Sequence, residues 1–232
     1  MAKEGLDIIF FSLVLTVLFF VLSVITRNKV LSGITVVFLI ATLFIVFFFR
    51  DPERRIPEGE GIILSPADGR IVGISTFSSC GSKIGQDDFL GSGGSKVAIF
   101  LSAFNVHINR NPISGEVKYS KYISGRFNAA YKDKASSENE QNELGLENEQ
   151  VKLILKQIAG TIARRIVCRI KEGEQVKIGE RFGIIKFGSR VELFLPEKVK
   201  VLVKLNQKVR AGETIIGTYE VHHPWPESRT FG

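Results

Sequence analysis

Two long apolar stretches at the front of this chain restrict its fold more than any other feature. Residues 8–25 run for 18 positions without a charged side chain, and residues 30–49 for 20. An α-helix needs about 20 predominantly apolar residues to cross the hydrocarbon of a bilayer. Only Thr26-Arg-Asn-Lys29 separates the two stretches, so a tight transmembrane helical hairpin is expected over residues 1–49. A secretory signal would show one apolar run and a small-residue cleavage site, which is not this pattern. A buried soluble hairpin is the competing reading, and these lengths disfavour it. Both ends of a two-span hairpin emerge on one side. Lys3, Arg50, Arg54 and Arg55 flank that side, against Arg27 and Lys29 in the loop. That balance predicts a cell-membrane protein with its remaining domain in the cytoplasm.

The remainder has a different character. Nine of the 18 Phe lie in the first 49 residues, whereas residues 50–232 carry 28 basic and 22 acidic side chains, an ordinary globular composition. Phe49-Arg-Asp-Pro-Glu-Arg-Arg55 marks the seam, where Pro52 and Pro57 end the helical pattern. After it come short apolar runs broken by Gly, Pro and Asn, as in an all-β domain. Ile71-Val-Gly-Ile74 and Val97-Ala-Ile-Phe-Leu101 read as strands. Residues 198–205 alternate strictly, with Val199, Val201, Val203 and Leu205 on one face. Residues 151–170 read as strands too, from their Ile and Val content and Gly160. Two internal echoes stand out. Val176-Lys-Ile-Gly-Glu180 matches Val209-Arg-Ala-Gly-Glu213 at an offset of 33, and Pro66-Ala-Asp-Gly-Arg-Ile71 matches Pro112-Ile-Ser-Gly-Glu-Val117 at 46. The glycines suit tight turns. The expected fold is mainly β: a compact sandwich or barrel-like domain with lipoyl- or hammerhead-like halves behind the helical anchor.

Residues 132–150 hold six acidic residues against two Lys, with many Ser, Asn and Gln. A solvated loop and a flap over a site, with Asn139, Glu140 and Asn142 near a polar headgroup, are both open readings. Cys80 and Cys168 are too few and too far apart for a metal motif and read as free, buried thiols. No metal is expected.

The chemistry-bearing residues are Gly188-Ser189, Asp68 in Ser65-Pro-Ala-Asp-Gly69, and His107 in Phe104-Asn-Val-His-Ile-Asn-Arg110. Each has an ordinary reading by itself: Ser after Gly and Asp before Gly are common turn residues, and a lone His is commonly structural. Together they match a site where a serine hydroxyl attacks the preceding carbonyl with help from a base. Arg164 and Arg165 are either phosphate ligands or partners in salt bridges along a strand edge. His222 and His223, before Pro224, read as surface or interface residues.

An ordered set of short motifs resembles the phosphatidylserine decarboxylase family in its short archaeal and bacterial form. The set comprises Phe48-Phe-Arg-Asp-Pro-Glu-Arg54, Pro66-Ala-Asp-Gly69, Asn105-Val-His-Ile-Asn-Arg-Asn-Pro112, Gly115-Glu-Val117, Glu138-Asn-Glu-Gln141, Gln157-Ile-Ala-Gly160, Ala163-Arg-Arg-Ile166 and Phe187-Gly-Ser-Arg190. The resemblance implies a self-cleaving proenzyme. Attack of Ser189 on Gly188 would yield a β chain (1–188) and an α chain (189–232), with Ser189 converted to a pyruvoyl group as the sole cofactor. That group would form a Schiff base with the serine amine of a phosphatidylserine or archaetidylserine, release CO₂ and leave an ethanolamine phospholipid. His107 would serve as base and as the proton donor to the carbanion, with Asp68 orienting it. The implied partners are the serine phospholipid and the bilayer rather than nucleic acid, with the two chains as a heterodimer and a dimer of such pairs as one further arrangement. Two departures from the family's long form matter: that form has Leu-Gly-Ser-Thr where Phe187-Gly-Ser-Arg190 stands, and a His where Phe104 stands. The competing class is a membrane-anchored, lipoyl-like adaptor or assembly protein, which leaves Asp68, His107 and Gly188-Ser189 unexplained.

Overall fold

The apolar stretches form helices α1 (Leu6–Thr26) and α2 (Lys29–Phe48), the first preceded by a 3-10 turn over Lys3–Gly5, in a computed structural model that describes residues 1–77, 89–91, 93–128, 138–160, 165–186 and 188–221. Arg27 closes α1 in the left-handed conformation (φ +48°), and the Asn28 side chain accepts the Val30 N–H (2.8 Å) to cap α2. The hairpin is inside-out relative to a soluble one. Its buried contacts are small and polar: Thr42 Oγ1 pairs with Ser12 Oγ and with Thr16 Oγ1 (3.0 Å). Its outward surface is apolar, with Phe10 69% and Ile25 73% exposed. Packing of small residues with hydroxyl pairs inside, and Phe, Leu and Val outside, is how helices associate in lipid. Both helices are long and apolar enough to cross a membrane.

Every named element after the seam is a strand. The strands are β1 (Ile62–Leu64), β2 (Gly69–Phe77), β3 (Gly94–Leu101), β4 (Ile108–Arg110), β5 (Gly115–Ile123), β6 (Gln141–Glu147) and β7 (Lys152–Ile158). They continue with β8 (Ile166–Cys168), β9 (Gln175–Val176), β10 (Arg181–Ile185), β11 (Ser189–Pro196), β12 (Lys200–Val201), β13 (Lys208–Val209) and β14 (Ile215–Thr218). A curled eight-stranded antiparallel sheet runs β13-β2-β3-β11-β7-β6-β5-β9, and two three-stranded sheets run β1-β14-β12 and β4-β10-β8. One apolar core joins all three: Ile71, Ile99, Val191, Leu155 and Leu144 from the large sheet meet Ile63 and Ile216 from one small sheet and Phe182 and Ile185 from the other.

The sequence echoes are the trace of an internal duplication. β2 and β5 each span nine residues and start at the echoed glycines, Gly69 and Gly115. β13 and β9 are the two edges of the large sheet, and each leads into an echoed turn with a left-handed glycine, Gly212 (φ +73°) and Gly179 (φ +75°). The small sheets correspond as β1 with β4, β14 with β10 and β12 with β8. The sheet curls until its two ends meet: a Cβ on Gly212 would lie 3.8 Å from the Gly179 Cα. The seam clamps both halves. Asp51 takes Arg110 (3.3 Å) and Arg181 (2.8 Å) of the second half, while Arg54 takes Asp68 (2.9 Å) and Glu213 (3.5 Å) of the first.

The expected strands at residues 71–74, 97–101 and, where described, 151–170 are present. Two local expectations fail. The alternating run 198–205 holds only the short β12; the chain turns after it, with Asn206 at φ +67°, and Leu205 is exposed while Val199 and Val203 are buried. A short arc over the core reproduces a strand's alternation without its ladder. Within residues 132–150, the stretch 141–147 is strand rather than loop or flap: β6 lies inside the large sheet between β7 and β5. Its acidic residue Glu143 is buried, paired with Lys156 (3.1 Å) and accepting from the Tyr119 hydroxyl (2.9 Å), so polar composition here reflects satisfied burial rather than solvent. Residues 132–137 lie outside the described residues, as does Cys80. Cys168 is a free, half-buried thiol that burial pushes up in pKa.

Gly212→Ala places a Cβ 2.9 Å from the Arg110 Cδ at a left-handed position. A loss of about 1–2 kcal/mol is expected, because an L-residue strains there. Thermal unfolding in mild detergent measures it. The exposed turn variant Gly173→Ala, whose Cβ meets nothing within 4 Å, carries the backbone strain without the clash and shifts the transition less.

Candidate functional site

The site grows from one corner, where chain passes from the small sheet β4-β10-β8 into the large one. After β3, Asn105 Oδ1 accepts from the backbone N–H (2.9 Å) and hydroxyl (2.7 Å) of Ser102, closing a tight turn. That turn aims the Asn105 carbonyl at His107 Nδ1 (2.9 Å). A carbonyl only accepts, so Nδ1 carries the proton and Nε2 of the neutral ring carries the lone pair. His107 is fully buried, and its ring lies against Phe48 at the end of α2, with centroids 4.2 Å apart. Burial, reinforced by the nearby charge of Arg50, pushes its pKa down to about 4. Nε2 has no partner.

Ser189 arrives at the same corner. β10 pairs with β4, and the Ile185 N–H reaches the His107 carbonyl (3.4 Å). Gly188 then turns in the left-handed region at φ +58°, and Ser189 opens β11 opposite Leu101 of β3. A residue with a Cβ strains at that φ, which explains glycine here. Ser189 shares the inner face with Val191 and Leu193. It is fully buried, and its Oγ has no hydrogen-bond partner among the described residues. Two buried polar atoms without partners, a hydroxyl and a ring nitrogen with a lone pair, are costly in a core unless they serve chemistry.

Asp68 is differently placed from the expected Ser-His-Asp arrangement. Arg54 Nη2 donates to both its oxygens (3.0 and 2.9 Å), and the Ala211 N–H donates to Oδ1 (2.8 Å). It makes no hydrogen bond to His107, whose orienting partner is the Asn105 carbonyl instead. The reason is local: Arg54 from the seam is buried beside Asp68 and neutralises it.

The remaining expected residues divide. Asn142, on β6, donates Nδ2 to Gln157 Oε1 (3.3 Å); Gln157 Nε2 donates to Asn109 Oδ1 (2.8 Å); and Asn109 Nδ2 reaches the Pro66 carbonyl (3.4 Å). This buried relay crosses the inner face from β6 to β4 and the Asp68 turn. Asn139 is committed to backbone, donating to the carbonyls of Asn128 and Ala159 (both 2.7 Å). Glu140 is half-buried and Arg165 exposed. Arg164, Phe187, His222 and His223 lie outside the described residues. Gln157 carries a signal in the sequence, because it interrupts the apolar alternation of Leu153 and Leu155.

A buried, neutral His107 whose carbonyl accepts from β10, a left-handed Gly188 just before β11 and an inner relay are what the ordered motifs build. The profile of the phosphatidylserine decarboxylase family matches residues 41–217. The chain belongs to the phosphatidylserine decarboxylase family. A phosphatidylserine decarboxylase proenzyme of Syntrophus aciditrophicus (strain SB) is 48% identical over 192 residues, which cover 81% of this chain and 85% of that one. One of Ehrlichia ruminantium (strain Gardel) is 41% identical over 220 residues, 94% of this chain and 90% of its own. One of Chlorobium phaeobacteroides (strain DSM 266 / SMG 266 / 2430) is 44% identical over 177 residues, 76% and 80%. Phosphatidylserine decarboxylases are enzymes, so the adaptor reading falls. The match begins inside α2, so the family's sequence includes the helix end that covers His107.

The low pKa of His107 has a thermodynamic consequence. In the unfolded chain the imidazole titrates near 6.5 and in the folded chain near 4, so the unfolded state binds the extra proton first. Stability is complete above about pH 6.5 and is lost as pH falls toward 4, by about 3 kcal/mol from this group. Thermal unfolding across that window is expected to show the loss, and His107→Gln, which does not titrate, to flatten it.

Proposed function

We propose that this chain is a proenzyme that cuts its own backbone between Gly188 and Ser189 and then decarboxylates a serine phospholipid. The observation that carries the reading is that His107 Nε2 and Ser189 Oγ are both buried and have no hydrogen-bond partner among the described residues, on stretches linked by the Ile185 N–H to His107 carbonyl bond. Ser189 Oγ attacks the Gly188 carbonyl carbon, and His107 Nε2 takes its proton. The C–N bond breaks as the acyl group moves to Oγ, giving an ester and a free Ser189 amine. Elimination then releases the Gly188 carboxylate, and hydrolysis with loss of ammonia leaves a pyruvoyl group at position 189. The residues fit that group: Ser189 sits at a strand start behind a left-handed glycine, opposite Leu101 and on the apolar inner face with Val191 and Leu193. When formed, the pyruvoyl group supplies the electrophilic ketone and electron sink for Schiff-base decarboxylation of the headgroup. His107, held neutral, is the proton-transfer group of the corner; Asp68 acts through Arg54 and the Ala211 turn to hold the first half of the domain against the seam. Asn142 is the remaining candidate for a headgroup contact, through the inner relay.

The cut leaves the fold intact. β11 stays hydrogen-bonded to β3 on one side and β7 on the other, so the α chain (189–232) and β chain (1–188) remain one heterodimer. The apolar outside of the hairpin supports an anchor at residues 1–49 and a catalytic domain over 50–232 at the membrane surface. Lys3, Arg50 and Arg55 support a cytoplasmic face for it; Arg54 is buried against Asp68 and does not add to that balance. The acid segment aside, the domain's positive excess suits an anionic lipid surface. Ester and ether lipids share the reacting headgroup, so both are substrates in this reading.

A denaturing gel of purified protein is expected to show two chains, the smaller of 44 residues, with borohydride and amine labelling only that chain. Ser189→Ala is expected to run as one unlabelled band. A single unlabelled band from the wild-type chain contradicts the proposal.

A further inference from the structure

Arg50 and Arg55 are the seam's cations without a carboxylate partner among the described residues, and of the two only Arg50 is held in place by other groups. Asp51 and Glu53 hold Arg181, Asp51 also holds Arg110, and Arg54 is held by Asp68 and Glu213. Arg50 makes no ion pair among the described residues. Its Nη1 donates to the Phe47 carbonyl (2.8 Å) and its Nη2 to the Phe104 carbonyl (2.7 Å), and its guanidinium lies 3.8 Å above the Phe47 ring. Two neutral acceptors and a ring fix the planar group while leaving its charge and its other N–H donors unspent. Its position matters as much. Arg50 stands just beyond the end of α2, beside Phe47, and Phe104 is 69% exposed with its ring edge-on to Phe44 (6.4 Å). Its charge is felt at both His107 and Asp68.

We propose that Arg50 is the phosphate-binding residue of this site: its guanidinium takes the phosphodiester of the serine phospholipid whose headgroup enters toward His107 and Ser189, while Phe104 and Phe47 meet the lipid beside it. The inference rests on the decarboxylase reading above. A phosphodiester is a monoanion with two equivalent oxygens, which suits a guanidinium fork. A fork already held by carbonyls loses little freedom on binding. The exposed Arg165 is the rival cation at this corner, since its carbonyl accepts the Lys186 N–H (3.3 Å); no contact between described residues holds its guanidinium.

The test uses the full chain in detergent micelles with two substrates: a short-chain phosphatidylserine, and an O-alkyl serine that keeps the amine and carboxylate but lacks phosphate. Self-cleavage involves no phosphate, so Arg50→Gln is expected to be cut and labelled like the wild type. Its KM for phosphatidylserine is expected to rise at least about tenfold, with KM for O-alkyl serine unchanged. Lys3→Gln, which removes an exposed charge from the same end, is expected to behave as wild type. An equal KM for phosphatidylserine in Arg50→Gln, an equal loss on both substrates, or a rise in Arg165→Gln instead each overturns the assignment. Should Arg50→Gln remain uncut, Arg50→Lys takes its place: a smaller KM rise confined to the phosphate-bearing substrate supports the assignment, and an unchanged KM overturns it. Failure of the underlying reading shows separately, as a wild-type chain that is neither cut nor labelled.

Discussion

The contact between Phe48 and His107 is the constraint on which the rest depends. Phe48 ends an apolar helix, and His107 opens a strand of the β domain; each is fully buried against the other. Around them Phe49, Ala2, Val106, Ile108 and Ile184 form a second small core at the helix–domain junction. The Ala2 N–H reaches the Phe49 carbonyl (2.9 Å), and Glu4 pairs with Arg169 of the domain. The hairpin is therefore docked rather than tethered. Removing water from His107 keeps its ring neutral, and the Asn105 carbonyl selects which nitrogen is free. Helix docking and the neutral state of the His107 ring are thus one structural fact.

Duplication supplies the scaffold beneath this junction. Two equivalent halves close a curled sheet whose ends meet at Gly179 and Gly212, and the seam ties each half with its own ion pairs. The halves have then diverged where chemistry is concerned. Asp68 in the first half corresponds to Ser114 in the second, and His107 to Gly61. Only one half carries the buried histidine, and only one turn carries the buried carboxylate that Arg54 neutralises. Placing Ser189 on β11, in the middle of the large sheet, lets a backbone cut there leave all ladder partners in place.

Much of this was legible in the residues. Length and charge-free runs gave the hairpin, and two five- and six-residue echoes gave the duplicated halves before any strand was placed. The ordered motifs gave the family. What was not legible is how buried polar groups are shared out. Asp68 reads as the natural partner of His107 because triads pair those residue types, but Arg54 lies closer and carries the charge to claim it. Residues 132–150 read as a solvated loop or a flap because they are polar; Lys156 and Tyr119, distant in sequence, make Glu143 a core residue. Alternation at 198–205 reads as a strand because an arc over a core also buries every second side chain. In each instance a long-range partner decided the outcome, and local pattern carries no information about it.

The central claim is that the bond before Ser189 is chemically unstable in the folded protein and that this serine is consumed. Intact-mass measurement of the C-terminal piece tests it most directly. The account predicts a fragment beginning at position 189 that is lighter by one ammonia than the encoded peptide starting with serine. A fragment of the full encoded mass would mean ordinary proteolysis, and an intact chain of full length would mean no cleavage; either result contradicts it.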